Sequence, residues 1–290
     1  MNPYQEFLSC QQDFSYFVEN YIKISDPIIG LIPLELHPFQ KELIKAYEEK
    51  EFVLAVKFRK GGFTTITVLY GLWLCMFHSN VYFYVASRTE NEACHVGKLI
   101  DKVIEKLPKW LQPKLEKNTK SCKKFSITGC QMMFGNCEST RGKIITHLFI
   151  DEAAFIKKLD NSFIRNRTEM GCRIIAISTT NGLGNWFSET WFKTINGVNS
   201  VHAVKSNYKD HPIYANEDYV AIVREQLGEE GFRQEILGEF IIEQPKYSSI
   251  DFSNLSKEDL IKQVGHILVH KNKLSLEEQN LIFEMIRRFT

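Results

Sequence analysis

Phe52-Val53-Leu54-Ala55-Val56-Lys57-Phe58-Arg59-Lys60-Gly61-Gly62-Phe63-Thr64-Thr65 decides the fold. Its first five residues form an apolar run without a turn former, which reads as a buried strand. Arg59-Lys60-Gly61-Gly62 is a glycine-bearing turn, and a long apolar helix begins near Thr64. Between a buried strand and a helix, backbone N–H groups and the helix N-terminus are placed to cradle polyphosphate. The standard loop of this kind ends in Gly-Lys-Ser/Thr, and here Phe63 stands in the lysine position. Read alone, the segment fits a plain tight connection equally well. If it binds phosphate, the cation comes from Lys57, Arg59 or Lys60. Thr64 then stands where a Mg²⁺-ligating hydroxyl belongs, with Thr65 beside it.

Working outward, Val81 to Ala86 is a second buried strand, and the helix from Thr89 to Leu107 stops at Pro108. Short strands flank Thr128-Gly129. Thr146 to Ile150 is a strand ending in Asp151-Glu152, and Arg173 to Ser178 runs into Thr179-Thr180-Asn181-Gly182. Strands alternating with helices predict an α/β fold, a mostly parallel sheet with helices on both faces. Three apolar residues followed by two acids, Leu148 to Glu152, form a Walker B pattern: Asp151 for a Mg²⁺ shell, Glu152 to polarise the attacking water. Thr179, Thr180 and Asn181 lie at a strand's carboxyl end, where such sheets bind ligands. By itself that segment is an Asn-Gly turn.

Residues 1–24 read as one amphipathic helix, with Phe7, Phe14, Phe17, Val18 and Tyr21 on its apolar side, broken by Asp26-Pro27 and Ile32-Pro33. His37-Pro38 starts a helix running to about Lys50, and 217–238 is another. Gln244 to Ser249 reads as a linker, and 255–289 as two helices with Ser256 and Ser275 as N-caps. The expected division is therefore a domain over 1–243, with its helical segment at 1–50, and a small helical tail over 244–290.

Lys+Arg is 36 against Asp+Glu 35, a net charge of +1, which excludes nucleic-acid binding by bulk charge alone. Lys114 to Lys124 holds five lysines and reads as a solvated loop rather than a DNA contact. The seven cysteines form no CxxC pair and the eight histidines no HxxxH, so no zinc site is expected. Ile66 to Phe77 is too short to span a bilayer and the N-terminus carries no signal-peptide pattern, so a soluble chain without membrane contact is expected. Gln40, after His37-Pro38-Phe39, is a candidate reader of an adenine edge, and Arg141 a candidate donor to a neighbouring subunit.

In this order the segments resemble the ATPase domain of the large terminase subunit of tailed bacteriophages, over residues 14–243. The resemblance rests on Leu36 to Gln40, on Lys57 to Thr65 as a deviant Walker A, on Ser139 to Gly142, Leu148 to Glu152 and Ser178 to Gly182, and on Phe232 to Glu235 followed by Gly238 to Phe240. It implies a P-loop NTPase of the RecA/ASCE type. The implied function is an ATP-driven, Mg²⁺-dependent motor that translocates double-stranded DNA into a procapsid in the host cytoplasm. The partners would be a portal, a small terminase subunit and further copies of the chain in a ring. It also implies roles: Lys57 as an early Walker lysine, with Lys60 still open, Arg59 as a phosphate sensor, and Arg141 as a trans-acting finger. Glu152 would be the catalytic glutamate, and Thr179 to Asn181 the coupling motif. Full-length relatives continue into a nuclease with acids clustered on strands, whereas Asp251, Glu258 and Asp259 lie on no strand pattern. No DNA cleavage is expected from this chain; a separate polypeptide, a split gene product or sequence outside this chain would supply it. Two other readings stay open: another P-loop nucleic-acid ATPase of helicase type, and a non-catalytic assembly protein with a degenerate nucleotide site.

Overall fold

The computed structural model describes residues 2–26 and 30–241. The expected linker and tail over 244–290 lie outside them. In chain order come α1 (Pro3–Gln12), α2 (Phe14–Tyr21), β1 (Lys23–Asp26), β2 (Gly30–Pro33), α3 (Pro38–Glu49), β3 (Phe52–Val56) and α4 (Phe63–Phe77). Next are β4 (Tyr82–Ser87), α5 (Glu90–Lys106), β5 (Leu115–Asn118), β6 (Cys122–Phe125), β7 (Gln131–Asn136) and β8 (His147–Asp151). The described residues close with α6 (Asn161–Glu169), β9 (Arg173–Ser178), α7 (Trp186–Ile195), β10 (His202–Lys205) and α8 (Glu217–Glu235).

The central sheet has eight strands in the order β10-β3-β9-β8-β4-β7-β6-β5. The pairs from β10 to β7 are parallel, and β6 and β5 add an antiparallel edge. Successive strand residues point to opposite faces, so each central strand feeds two cores. Val53, Phe83, Phe149 and Ile175 join the core under α2 to α5. Leu54, Tyr84, Leu148 and Ile174 join the one under α6 and α7. With both faces covered, the strands read as continuous apolar runs rather than alternating ones. The strand after the glycine turn's helix is not the one that carries the acids. In register, Val56 pairs with Ser178 and Asp151 with Ile177, so β9 lies between the turn and the Walker B strand.

Three expectations are corrected. Residues 1–24 are not one helix, because Asp13 (φ −138°, ψ 113°) ends α1 and caps α2 by accepting from Tyr16 N at 3.1 Å. The chain then enters a β1–β2 antiparallel pair. Residues 114–124 are not a solvated loop: they form β5 and part of β6, and Lys123 is fully buried, its ammonium 2.6 Å from Asp101 and 2.9 Å from Asn118. The helix read over 217–238 ends at Glu235 and is kinked at Gly228 (φ 69°). Five of the seven cysteines are buried and all are free. No helix of the described residues is long and apolar enough to cross a membrane.

His147, at the start of β8, lies face-on to Phe83 with ring centroids 6.2 Å apart. Burial first, then Arg173 and His78, lower its pKa from 6.5 to about 4. Below pH 6.5 the unfolded chain therefore takes up this proton before the fold does, and stability is lost as pH falls towards 4. The loss reaches about 3 kcal/mol at most. Urea unfolding at pH 7.5 and 4.5 should show a smaller loss in His147→Gln than in the wild type.

Candidate active site

Four parallel strands bring their carboxyl ends to one edge of the sheet: β3 with Lys57, β9 with Thr179, β8 with Asp151 and Glu152, and β4 with Arg88. The cleft above them has a volume of about 550 Å³, within the range of about 300–1,000 Å³ usual for small-ligand sites.

The glycine turn forms its floor. Gly62 is in the left-handed region at φ 78° and precedes α4, whose first turn has no side-chain cap. The orphan N–H groups of a helix's first turn then face an incoming ligand and favour an anion. A Cβ at Gly62 would be strained by this backbone conformation and would lie 2.8 Å from Gln40 Nε2, displacing that amide. Phe63 lines the cleft but is almost fully buried, its ring packed in an aromatic cluster with centroids 5.6 Å from Phe39 and 5.4 Å from Phe58. The standard lysine position thus serves the core, and the cation must come from elsewhere.

It comes from the strand end. β3 and β8 are two strand spacings apart, roughly 10 Å, a gap that the Lys57 side chain crosses under cover. Its ammonium lies 3.0 Å from Asp151 Oδ1, 2.8 Å from Glu152 Oε1 and 3.3 Å from Thr64 Oγ1. Thr64 Oγ1 donates to the Asp151 carboxylate at 3.0–3.1 Å. Burial pulls the Lys57 pKa down, but Asp151 and Glu152 more than offset that, and the net shift is upward. Lys57 therefore carries its charge throughout the neutral range.

Glu152 is held at φ 53°, ψ 43°, a left-handed conformation that costs a non-glycine residue on the order of 1–2 kcal/mol. Such strain persists where the surroundings impose it, often at functional sites. Here Ser178 Oγ donates to Glu152 Oε2 at 3.4 Å, and Ala154 N donates to Ser178 Oγ at 3.2 Å. The carboxylate is turned into the cleft beside Thr179.

The structure brings together Lys57, Arg59, Lys60, Gly61, Gly62, Phe63, Thr64, Thr65, Glu152 and Thr179 as cleft lining, with Asp151 directly behind Lys57 and Thr64. Other expected residues lie elsewhere. Gln40 lines an adjoining cleft of about 380 Å³ with His37 and Lys60. Both ends of its amide are engaged: Nε2 donates to Gly61 O at 3.0 Å, and Oε1 accepts from His37 N at 3.0 Å. The amide fastens the turn to α3. Thr180 is buried and donates to Gln234 O and Glu239 O, while Asn181 Nδ2 donates to Ala154 O. Arg141 is exposed in a turn after β7, two strands beyond β8.

Two charged cleft residues are not singled out as site residues by the sequence. Arg88 is gripped by Glu92 at 2.8 Å and lies 5.9 Å from the Phe155 ring. In sequence it is an ordinary i,i+4 pair at a helix start, and only the β4–β8 pairing brings it to the acids. Glu235 ends α8, more than 80 residues from Glu152 in sequence, and closes the cleft from the far side.

A strand-loop-helix cradle beside a strand-end acid pair, with a further strand between them, is the arrangement of a P-loop nucleotide-binding fold. Residues 64–255 match the family described as terminase large subunit, T4likevirus-type, N-terminal; the chain belongs to this family, whose members are subunits of phage DNA-packaging motors. Solved structures share the fold. The ATPase domain of the Thermus phage P74-26 large terminase is 15% identical with a TM-score of 0.57, over 72% of this chain and 95% of that one. The HK97 bacteriophage large terminase is 20% identical with a TM-score of 0.60, over 79% of this chain and 55% of that one. The large terminase of the thermophilic bacteriophage D6E in complex with ATP-γ-S is 12% identical with a TM-score of 0.54, over 71% and 53%. The chain thus matches about half the length of the latter two proteins.

Proposed function

We propose that this chain hydrolyses ATP at the cleft over residues 57–65 and couples that to movement of double-stranded DNA into a procapsid. The observation that carries the reading is the constellation Lys57–Thr64–Asp151–Glu152. The buried Lys57 ammonium lies 3.3 Å from the Thr64 hydroxyl, 3.0 Å from the Asp151 carboxylate and 2.8 Å from the Glu152 carboxylate, which fits a phosphate-loop lysine, a metal-shell hydroxyl and carboxylate, and a water-orienting carboxylate.

The oxygen set also fits Mg²⁺. Thr64 Oγ1 and the Asp151 carboxylate face one another, and the Lys57 ammonium beside them acts as a stand-in cation. Thr64 and Asp151 would hold the ion, which supplies charge neutralisation at the β- and γ-phosphates. Lys57 swings from the carboxylates to a phosphate oxygen. Arg59, Lys60 and Arg88 rim the cleft and add positive charge for the polyphosphate. The first-turn N–H groups of α4 bind phosphate oxygens, and the cleft beside Gln40 takes the nucleoside side. Glu152, freed from Lys57, orients the attacking water. Arg141 faces away from its own cleft and serves the next subunit of a homo-oligomeric ring. Thr179 reports γ-phosphate loss through Thr180 and Asn181.

The working partners in this reading are DNA, portal and procapsid and a small terminase subunit, in the host cytoplasm, and residues 1–243 form the motor domain. Steady-state hydrolysis with and without double-stranded DNA and procapsids tests it, with plasmid nicking scored in the same tubes. The expected result is Mg²⁺-dependent turnover that rises on assembly, without nicking. Tight ATP binding with no turnover even when DNA and procapsids are present would instead favour a non-catalytic assembly protein.

A further inference from the structure

We propose that Arg167 is a positioning residue: buried on α6, it clamps Thr140 and so fixes the turn after β7 from which Arg141 reaches a neighbouring subunit's nucleotide. The inference rests on the proposed trans role of Arg141 and adds the residue that holds it in place.

Arg167 is only 6% exposed, and among the described residues its guanidinium meets no carboxylate. Nη2 donates to Thr140 O at 2.8 Å and to Thr140 Oγ1 at 2.9 Å, while Nε has no hydrogen-bond partner among the described residues. The charge belongs to the last turn of α6, where helix carbonyls favour a cation, and lies 5.8 Å from the Phe163 ring. Neither contact replaces an ion pair. Burying a cation without one is costly, and an apolar side chain of similar length would fill the space at less cost. What arginine adds is two N–H bonds from one nitrogen, aimed at the carbonyl and the hydroxyl of a single residue.

That residue is the last buried one before Arg141. Thr140 is fully buried, its hydroxyl donates to Cys137 O at 2.6 Å, and its carbonyl also accepts from Lys143 N at 3.2 Å. Arg141, next in the chain, is exposed, and Gly142 turns the backbone at φ 71°. The clamp therefore fixes the root of the turn and leaves the Arg141 side chain outside. A second tie across the turn, Lys158 to Glu138, is exposed at both ends and contributes little. Arg167 does not line the nucleotide cleft, so its loss acts through the turn.

Arg167→Met, Arg141→Ala and the double variant should be compared as full chains. Mg²⁺-ATPγS affinity and amide hydrogen exchange over 138–143 are read on the chain alone, and turnover with DNA and procapsids. Arg167→Met should bind ATPγS within about twofold of wild type and exchange about fivefold or more faster over the turn. It should lose about 10²-fold in assembled turnover, the cost of a displaced catalytic group. Arg141→Ala should lose about 10³-fold or more. Adding Arg167→Met to it should change turnover by less than about twofold, because the residue through which Arg167 acts is gone. A purely structural residue would lower turnover by the same factor in both backgrounds. Thr140→Val removes the hydroxyl from the other side of the clamp, should show the same background dependence, and decides the matter if Arg167→Met does not fold. Equal losses in both backgrounds, unchanged exchange over the turn, or wild-type turnover in Arg167→Met overturns the proposal. Arg141→Ala that turns over like wild type, or wild type without turnover, overturns the underlying site reading instead, and this inference with it.

Discussion

Glu152→Gln should lower ATP turnover by about 10²- to 10⁴-fold, the range for loss of a general base, while ATP still binds. The amide keeps the shape and the contact with Ser178, but it cannot accept a proton from water. The left-handed backbone at Glu152 points the same way. A residue that served only to end β8 would gain from glycine there, yet the position holds a carboxylate aimed into the cleft. Quench-flow or coupled-enzyme assays measure the turnover, and nucleotide titration measures the binding. Turnover at the wild-type rate would remove Glu152 from the reaction.

The second large effect separates two lysines. Lys57→Ala removes the one ammonium that touches Asp151, Glu152 and Thr64. Turnover should fall by about 10²- to 10³-fold, as when a preorganised donor to the reacting phosphate is lost. Stability should fall as well, because two carboxylates are left facing each other under cover. Breaking a buried pair from one side costs about 3–5 kcal/mol, readable by urea unfolding. Lys60→Ala removes an exposed side chain at the cleft mouth from a residue at φ 61°. It should leave stability within about 0.5 kcal/mol, as at exposed sites generally, and should change the KM for ATP more than kcat. The reverse pattern would make Lys60 the phosphate-loop lysine.

The parts of the fold that could be read from sequence are those where one local pattern decides. β3, β4, β8 and β9 are buried on both faces, so each shows as an unbroken apolar run. The turn at Gly61-Gly62 and the acids at Asp151-Glu152 lie at the ends of those runs, and their meeting follows from the alternation of strands and helices. What escaped was set by partners distant in the chain. Lys123 sits in a lysine-rich stretch that looks solvated, and its burial depends on Asp101, on α5, 22 residues earlier. α7 begins with a capping box whose third position is Ser188 rather than the usual Glu or Gln, so its start carries a weak signal. β10 is a four-residue edge strand, His202–Lys205, that its neighbour β3 organises more than its own sequence does.

The site divides the same way. Phe63 reads in sequence as a missing lysine. The structure gives its physical reason: the ring completes the cluster of Phe39 and Phe58 beneath the turn, and the strand-end Lys57 takes over the electrostatic task. Gln40 reads as an adenine contact because it follows His37-Pro38-Phe39 at a helix start, and in the structure its amide is engaged by the turn backbone and its own helix start. Arg88 carries no motif that separates it from surface residues, and Glu235 lies in the Phe232 to Glu235 segment without a role that the segment alone assigns. Only the strand order and the path of α8 bring them to the cleft.

The account stands most directly on one measurement: steady-state ATP hydrolysis by the purified chain, with Mg²⁺ and with EDTA, wild type beside Glu152→Gln. It predicts Mg²⁺-dependent turnover in the wild type that collapses in the variant while both proteins bind ATP. Equal turnover in the two proteins, or ATP binding without any turnover in the wild type even with DNA and procapsids, would contradict it.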